Sequence, residues 1–227
     1  MKFRLQLAFA VLMAGACLGQ VVDRMAAVVN KRVIMESELD QAVRIEFLMQ
    51  GKPLDKITQA EKLAVLDRLI DRSLLEQQIV TTDALNPTSE ELASRVAEIR
   101  KQTPEAQTDD GWSEVLAGYG LTEQDIRDSI TSEVRILRFI DLRFRGLVRV
   151  DRNAVETYYR EKFVPQLRAE GAAEPPLSAV SDKIENILVE QNIDEMLARW
   201  LETLRGQSHI EKMNSAATPS APEGAHP

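Results

Sequence analysis

Few side chains in this sequence are of the types that carry out catalysis. Its 227 residues include two histidines, His209 and His226, and one cysteine, Cys17. No glycine-rich phosphate loop and no Cys or His cluster with metal-ligand spacing occurs, so we predict no catalytic residue, no metal and no cofactor. A Ser-His-Asp arrangement would have to use His209, which has no supporting motif around it. A structural or solvent-facing His209 is therefore the favoured interpretation.

The abundant carboxylates alternate with arginines. Glu133 lies beside Arg135 and Arg138, and Asp141 is followed by arginines at 143 and 145. Such interleaving is typical of a solvated, salt-bridged helix face and not of a catalytic pair in a cleft. The formal net charge of −8 argues against binding to a phosphate backbone, which needs clustered Lys and Arg. We therefore predict no nucleic-acid partner.

The N-terminus has the pattern of an export signal. Lys2 and Arg4 precede an almost wholly apolar run at residues 5–18, and small residues occupy 14–16. The run is shorter than the roughly 20 apolar residues that a spanning helix needs. We therefore predict a signal peptide over residues 1–20, export to the periplasm, and no transmembrane helix once the signal is removed.

Cys17 has two interpretations. It follows Ala14-Gly15-Ala16, so it could be a lipobox cysteine that is acylated after cleavage, anchoring the protein to a membrane. It could instead lie inside or beside an ordinary cleavage site near Gly19 or Gln20. Ala14 stands where a lipobox usually has Leu, which favours the soluble form. Incorporation of a radioactive fatty acid would distinguish the two.

Hydrophobic spacing predicts a mainly α fold with a little sheet. Residues 25–35 are predicted to form a hairpin with its turn at Asn30-Lys31, although Lys31 stands where Gly is favoured. Helix starts are predicted where a capping residue precedes an apolar stripe, at Ser37, at Thr58 with Glu61, at Thr88 with Glu91, at Thr122 with Asp125, and at Asp151.

Loop signals divide the rest of the chain. Residues 103–111 are predicted to be a loop before a short helix that begins near Trp112, and Pro165 is predicted to end the helix that Asp151 begins. Residues 165–177 then form a connector. A long helix from Ser178 or Ser181 and one short strand follow within residues 178–213, and residues 214–227 are predicted to be a disordered tail.

Several segments carry a resemblance to a known family. Residues 21–30 and 33–40 pair a short strand motif with an acid-Ser-acid helix start, and residues 66–71, 119–122 and 192–212 fit in turn. Together they resemble the SurA-type periplasmic chaperones. The resemblance implies one helical chaperone domain made of residues 21–164 and 178–213, in which the last strand returns to the N-terminal region and the small sheet joins the two ends.

The resemblance also concerns an enzyme domain. The family normally carries one or two parvulin-type prolyl isomerase domains between the two halves, and residues 165–177 are too few to hold one. The expectation is a chaperone body without isomerase activity. A prolyl isomerase of the family remains an alternative, which a protease-coupled assay would reveal, and a lipid-anchored envelope adaptor is another.

A chaperone of this kind is expected to hold unfolded outer-membrane or secreted proteins without ATP. That task needs exposed apolar surface with a charged rim, and Met and aromatic side chains suit it. The candidates for client contact are Phe47, Met49, Trp112, Tyr119, Tyr158 and Tyr159. Core packing is the alternative for Phe47 and Trp112, because both lie on apolar stripes at helical spacing.

Overall fold

A small antiparallel sheet brings the two ends of the folded chain together. The computed structural model describes residues 23–80 and 83–213. Strand β1 (Met25–Val29) pairs with β2 (Arg32–Met35) and with β3 (Ile210–Lys212), in the order β2-β1-β3. The predicted hairpin, the C-terminal strand and the mainly α fold class are confirmed. The predicted signal peptide, Cys17 and the predicted tail lie outside the described residues.

Asn30 makes the hairpin turn and also binds the C-terminal segment. Its φ of 57° is left-handed, and it is the one non-glycine residue with a positive φ among those described, so Lys31 needs no glycine-like conformation. Asn30 Nδ2 donates to Gln77 Oε1 at 2.9 Å and to Ser208 Oγ at 3.2 Å. Its Oδ1 accepts from the His209 amide at 2.9 Å. One turn residue therefore links β1, the segment at Gln77 and the approach to β3.

Helices make up most of the structure. Their bounds are α1 Glu36–Met49, α2 Gln59–Glu76, α3 Ser89–Gln102, α4 Asp109–Gly118, α5 Glu123–Phe144, α6 Arg152–Tyr158, α7 Val164–Ala169 and α8 Leu177–Gln207. The predicted capping boxes at the starts of α2, α3 and α5 are confirmed, as is the Asp151 cap of α6. These caps satisfy backbone N–H groups that have no partner inside the helix.

The predicted cap at Ser37 is wrong. Helix α1 begins at Glu36, directly after β2, and Met35 occupies the capping position without a side-chain hydrogen bond. The Glu36 amide still donates to the Arg24 carbonyl across the hairpin, so strand pairing runs into the helix. The Ser37 amide and hydroxyl both bind the Asp23 carboxylate instead.

Residues 103–111 are more ordered than predicted. Pro104–Gln107 forms a 3₁₀ turn, and α4 begins at Asp109 because Thr108 Oγ1 accepts from the Gly111 amide at 3.1 Å. A Cβ on Gly111 would lie 2.1 Å from the Glu105 carbonyl oxygen, so only glycine allows the turn to pack this closely against the helix. Trp112 therefore lies inside the first turns of α4.

Pro165 does not end its helix, contrary to the prediction. A π-helical turn at Tyr159–Phe163 follows α6, and Pro165 lies in the first turn of α7. The Val164 amide bonds back to the Tyr159 carbonyl, five residues earlier, and this wider turn leaves room for the proline ring. The chain leaves the helix after Ala169 and reverses at Gly171, whose φ is 68°. The long helix α8 then begins at Leu177, one residue before Ser178.

Two apolar clusters fill the body of the protein. The larger one joins the sheet, α1, α2, the C-terminal half of α5 and α8 around Phe47, Ile70 and Leu74. The second joins α3, α4 and the start of α5 around Trp112 and Ile126. Helix α5 contributes to both clusters, so one long helix holds the body together.

Charged groups fix α8 and β3 to α2. Arg205 Nε lies 2.6 Å from Asp71 Oδ1, and Lys212 Nζ lies 2.6 Å from Asp67 Oδ1. Hydrogen bonding to Asp71 raises the pKa of the Arg205 guanidinium above its ordinary value, so Arg205 keeps its charge. The N-terminal and C-terminal parts therefore share an apolar core and are also joined by these ion pairs.

Candidate functional site

The six residues predicted to contact clients fall into two groups by exposure. Phe47 and Trp112 are each 2% exposed and lie in the larger and the second apolar cluster. Both make packing contacts, which is the alternative that their helical stripes left open. Tyr119 is half-buried, packs against both clusters, and donates its hydroxyl to the Lys52 carbonyl at 2.9 Å. Met49 is 38% exposed at the end of α1.

Tyr158 and Tyr159 lie at the junction of α6 and the π turn. Both are half-buried. The Tyr159 hydroxyl donates to the Pro175 carbonyl at 2.8 Å, and its ring stacks on Phe163 at a centroid distance of 6.2 Å. Tyr158 lies under Lys162 Nζ at 5.6 Å. The Tyr159 hydroxyl joins the π turn to the segment that leads into α8. Neither tyrosine lines the cavity that contains Met49.

Three cavities form one groove along α5, which we call the α5 groove. A cavity of about 590 Å³ lies between α1, α2, α3 and α5 and includes Met49. It shares Arg95, Glu98 and Val134 with a second cavity of about 330 Å³. The second shares Leu137 and Arg138 with a third of about 660 Å³ against α8. The shared residues show that the three cavities adjoin one another along α5.

The floor of the α5 groove is apolar. Its side chains come from five helices and a short turn: Ile45, Met49, Val65, Leu69, Leu85, Ile99, Ile130, Val134, Leu137, Ile140, Leu142, Ile193 and Leu197. Leu137 is 49% exposed and Leu142 is 77% exposed, so the groove opens leucine surface to solvent. Exposed apolar side chains in a concave surface are a feature of binding sites on proteins.

Helical geometry explains why α5 supplies this floor. Residues three or four apart lie on one helix face, so Ile130, Val134, Leu137 and Asp141 form one line along α5. Ile136, Ile140 and Phe144 turn instead toward the larger core cluster. Ile130 and Val134 on this line are buried in the second cluster, and Leu137 is its exposed apolar member.

Ion pairs hold the walls of the groove in place. Arg138 Nη2 lies 2.5 Å from Glu91 Oε1, which joins α5 to α3. Arg145 binds Asp141 and lies 2.5 Å from Glu190 Oε1, which joins α5 to α8. The Thr88 amide, followed by Arg138, holds the pKa of the Glu91 carboxyl below its ordinary value. The Glu91–Arg138 pair therefore stays charged in mildly acidic solution.

Sequence reasoning did not single out Leu137 and Leu142 as candidates for client contact. Leu137 lies at helical spacing from Ile130 and Val134, and Leu142 stands among charged residues. The available signal was the spacing of Ile130, Val134 and Leu137, which departs from the line through Ile136 and Ile140. Recognising it requires knowing that α8 crosses α5 near Ile193 and Leu197, which local spacing does not reveal.

The described ranges offer no other obvious chemistry. Within residues 23–80 and 83–213, no group of three His, Cys, Asp or Glu side chains is arranged to hold a metal ion. In the same part of the chain, none of the helices combines the length and the apolar character needed to cross a bilayer.

Comparison with known proteins identifies the family. A model described as the SurA-like N-terminal domain matches residues 4–139, which is more than half of the chain. The chain belongs to the SurA-like N-terminal domain family. The matched region supplies α1 to α4, most of α5 and therefore most of the α5 groove. The α8 wall of this SurA-like chain lies beyond the matched residues.

Individual relatives named Chaperone SurA match this chain over part of their own length. Chaperone SurA of Xanthomonas oryzae pv. oryzae is 32% identical over 152 residues, covering 64% of this chain and 31% of that protein. Chaperone SurA of Hahella chejuensis is 30% identical over 169 residues, covering 71% of this chain and 38% of that protein. The SurA-like chain thus spans about a third of the length of the curated relatives it matches.

A solved structure is also similar in part. It comes from work on PEB4 and Cj1289, two SurA-like chaperones of Campylobacter jejuni. Its TM-score is 0.47 and its sequence identity is 11%, with 85% of this chain and 100% of that chain covered.

Proposed function

We propose that this SurA-like chain is a periplasmic holdase, which binds unfolded outer-membrane or secreted polypeptides without ATP and keeps them from aggregating. Family membership supports a chaperone role. The export pattern of residues 1–20 supports action in the periplasm. In this proposal the chain is soluble after loss of its signal, and Cys17 leaves with the signal.

The α5 groove is the observation that carries the proposal. An unfolded chain exposes apolar side chains that need cover, and a holdase must offer apolar surface without becoming insoluble itself. Leu137 and Leu142 are open to solvent in a groove whose rim is charged. Met49 lies at the other end of the same groove, and its flexible side chain suits contact with varied sequences.

Of the sequence candidates, Met49 fits this proposal best. Tyr119, Tyr158 and Tyr159 are half-buried and use their contacts to join elements. We propose that these tyrosines contribute to client binding through their remaining exposed edges. Phe47 and Trp112 contribute indirectly, by packing in the two apolar clusters.

Substitution of the exposed leucines tests the proposal. The wild-type protein is expected to suppress aggregation of an unfolded outer-membrane protein at near-stoichiometric ratios. Leu137→Ser with Leu142→Ser should weaken suppression several-fold, since two apolar contacts are removed and each is worth about 1 kcal/mol at partial burial. Light scattering after dilution from urea measures the effect.

Leu63→Ser with Leu147→Ser is the matched control. Leu63 is 47% exposed and Leu147 is 66% exposed, and neither lines the groove. This control should suppress aggregation as well as the wild type. Absence of suppression by the wild type would refute the holdase function, and equal loss in both double variants would refute the groove as its site.

A further inference from the structure

The α5 groove has a strong excess of negative charge. Eleven carboxylates and five arginines line its three cavities. The whole chain has a formal net charge of −8, so the groove concentrates acidic groups that the composition alone would spread over the surface. Clefts with apolar walls and charges of one sign focus the electrostatic field at their opening.

Ion pairing leaves the excess in place. Arg32, Arg68 and Arg138 each bind one groove carboxylate, and Arg145, beside the groove, binds two more. Six groove acids have no ion-pair partner within the described residues: Glu76, Glu98, Asp125, Asp128, Glu133 and Asp194. Two groove arginines, Arg72 and Arg95, are likewise without an ion pair in that part of the chain. Asp125 also caps α5, and Glu76 and Asp128 accept hydrogen bonds from Ser132 and Gln124. Glu98, Glu133 and Asp194 are therefore the rim carboxylates that have no side-chain partner in that part of the chain.

The position of these acids matters as much as their number. Glu98, Glu133 and Asp194 are exposed, and they come from α3, α5 and α8. Glu98 and Glu133 line the cavity that holds Met49, and Asp194 lines the one that holds Leu142. Both apolar ends of the groove are therefore flanked by carboxylates.

We propose that the α5 groove selects unfolded segments in which apolar side chains alternate with Lys or Arg. This selectivity rests on the proposed holdase function and deepens it. Alternation sends successive side chains of an extended chain to opposite sides, so apolar groups reach the floor while cations reach the rim. Segments rich in Asp or Glu bind poorly because their charges meet the same carboxylates.

The length of the groove sets the size of the segment. From Asp125 to Leu142, α5 rises about 26 Å at 1.5 Å per residue. An extended peptide covers about 3.3 Å per residue, so about eight residues fit along it. A cation on every second residue then meets the acids of both walls.

Matched peptides test the selectivity. Fluorescein-labelled nine-residue peptides carry Leu at alternate positions, with Lys, Ser or Glu between, and anisotropy gives the Kd at about 20 mM and about 500 mM NaCl. At low salt the Lys peptide should bind about tenfold more tightly than the Ser peptide, and the Glu peptide most weakly. At high salt the three values should converge, since exposed charges are screened. Equal affinities at low salt would overturn the proposal.

Removing the groove charges is the second test of the selectivity. Glu98→Gln, Glu133→Gln and Asp194→Asn together should abolish the preference for the Lys peptide over the Ser peptide. The control Glu114→Gln, Glu185→Gln and Glu202→Gln removes three exposed acids that line none of the cavities, and it should keep the preference. Equal loss in both sets would show that net charge, and not the groove, attracts the peptide.

Aggregation suppression separates this inference from the holdase function. If the protein suppresses aggregation but binds Lys, Ser and Glu peptides alike, or binds none of them, the selectivity is refuted and the holdase function stands. If it neither suppresses aggregation nor binds any peptide, both are refuted.

Discussion

Single residues at turns decide how closely the helices pack. Gly111 lets the 3₁₀ turn at Pro104–Gln107 lie against the first turn of α4, where any side chain would meet the Glu105 carbonyl. Trp112, the next residue, is then held 2% exposed in the second apolar cluster. The sequence predicts that Gly111 lies in a loop. In the structure, its lack of a side chain lets the turn and the helix pack together.

We predict that Gly111→Ala lowers the free energy of unfolding by about 1–3 kcal/mol, because the new Cβ would overlap a backbone oxygen and force the turn away. Gly118→Ala is the control, since a Cβ there meets nothing within 4 Å at the end of the same helix. That variant should be neutral or slightly more stable, by less than about 1 kcal/mol. Urea denaturation compares the two, and a Gly111→Ala variant as stable as Gly118→Ala would contradict the account.

The sequence predicted the contacts of single residues correctly where both partners lie close together in the chain. The Thr58–Glu61, Thr88–Glu91 and Thr122–Asp125 boxes each join residues three apart, so the spacing alone defines them. Ser37 fits the same pattern but binds Asp23, because the preceding hairpin already occupies the helix start. The error came from a contact fourteen residues away, which spacing cannot reveal.

At the scale of elements, α8 connects the parts of the fold. Trp200 of α8 packs edge-on against Phe144 at a centroid distance of 5.6 Å, with the Arg143 guanidinium 4.1 Å from the centre of its indole ring. Arg205 then binds Asp71 of α2, and β3 follows at once. Helix α8 therefore closes the larger core and forms one wall of the α5 groove.

We predict that Arg205→Met lowers the free energy of unfolding by about 1–2 kcal/mol, because it leaves the Asp71 carboxylate without its charged hydrogen bond at a partly screened site. Arg199→Met is the control on the same helix, where the pair with Glu195 is 69% exposed on both sides and should contribute less than about 0.5 kcal/mol. Thermal and urea unfolding compare them. Equal losses of unfolding free energy would mean that the Arg205–Asp71 pair does not stabilise the packing of α8 on α2.

For the whole molecule, the sequence predicted the architecture better than the site. The apolar spacing and the hairpin signal near Asn30 predicted a helical body with a small sheet, since both are set by neighbours in the chain. The α5 groove arises where α3, α5 and α8 meet, and its exposed residue Leu137 looks like a core residue until that packing is known. Composition likewise gave the net charge but not its concentration in one groove.

Family membership supports the role that we propose for this architecture. The SurA-like match covers residues 4–139, and the chain completes the body with α8 and β3 after that region. In our proposal the completed body offers the α5 groove, with its apolar floor and acidic rim, to unfolded polypeptides. Function then depends on surface that is left open, and not on a reactive side chain.

Site-specific photocrosslinking tests this central claim most directly. A photoreactive residue is placed at 49, 137 or 142 in the groove, or at the comparably exposed positions 25, 63 and 147 outside it. After addition of an unfolded outer-membrane protein, the account predicts strong crosslinks from the three groove positions and weak ones from the other three. Equal crosslinking from both sets, or stronger crosslinking outside the groove, would contradict it.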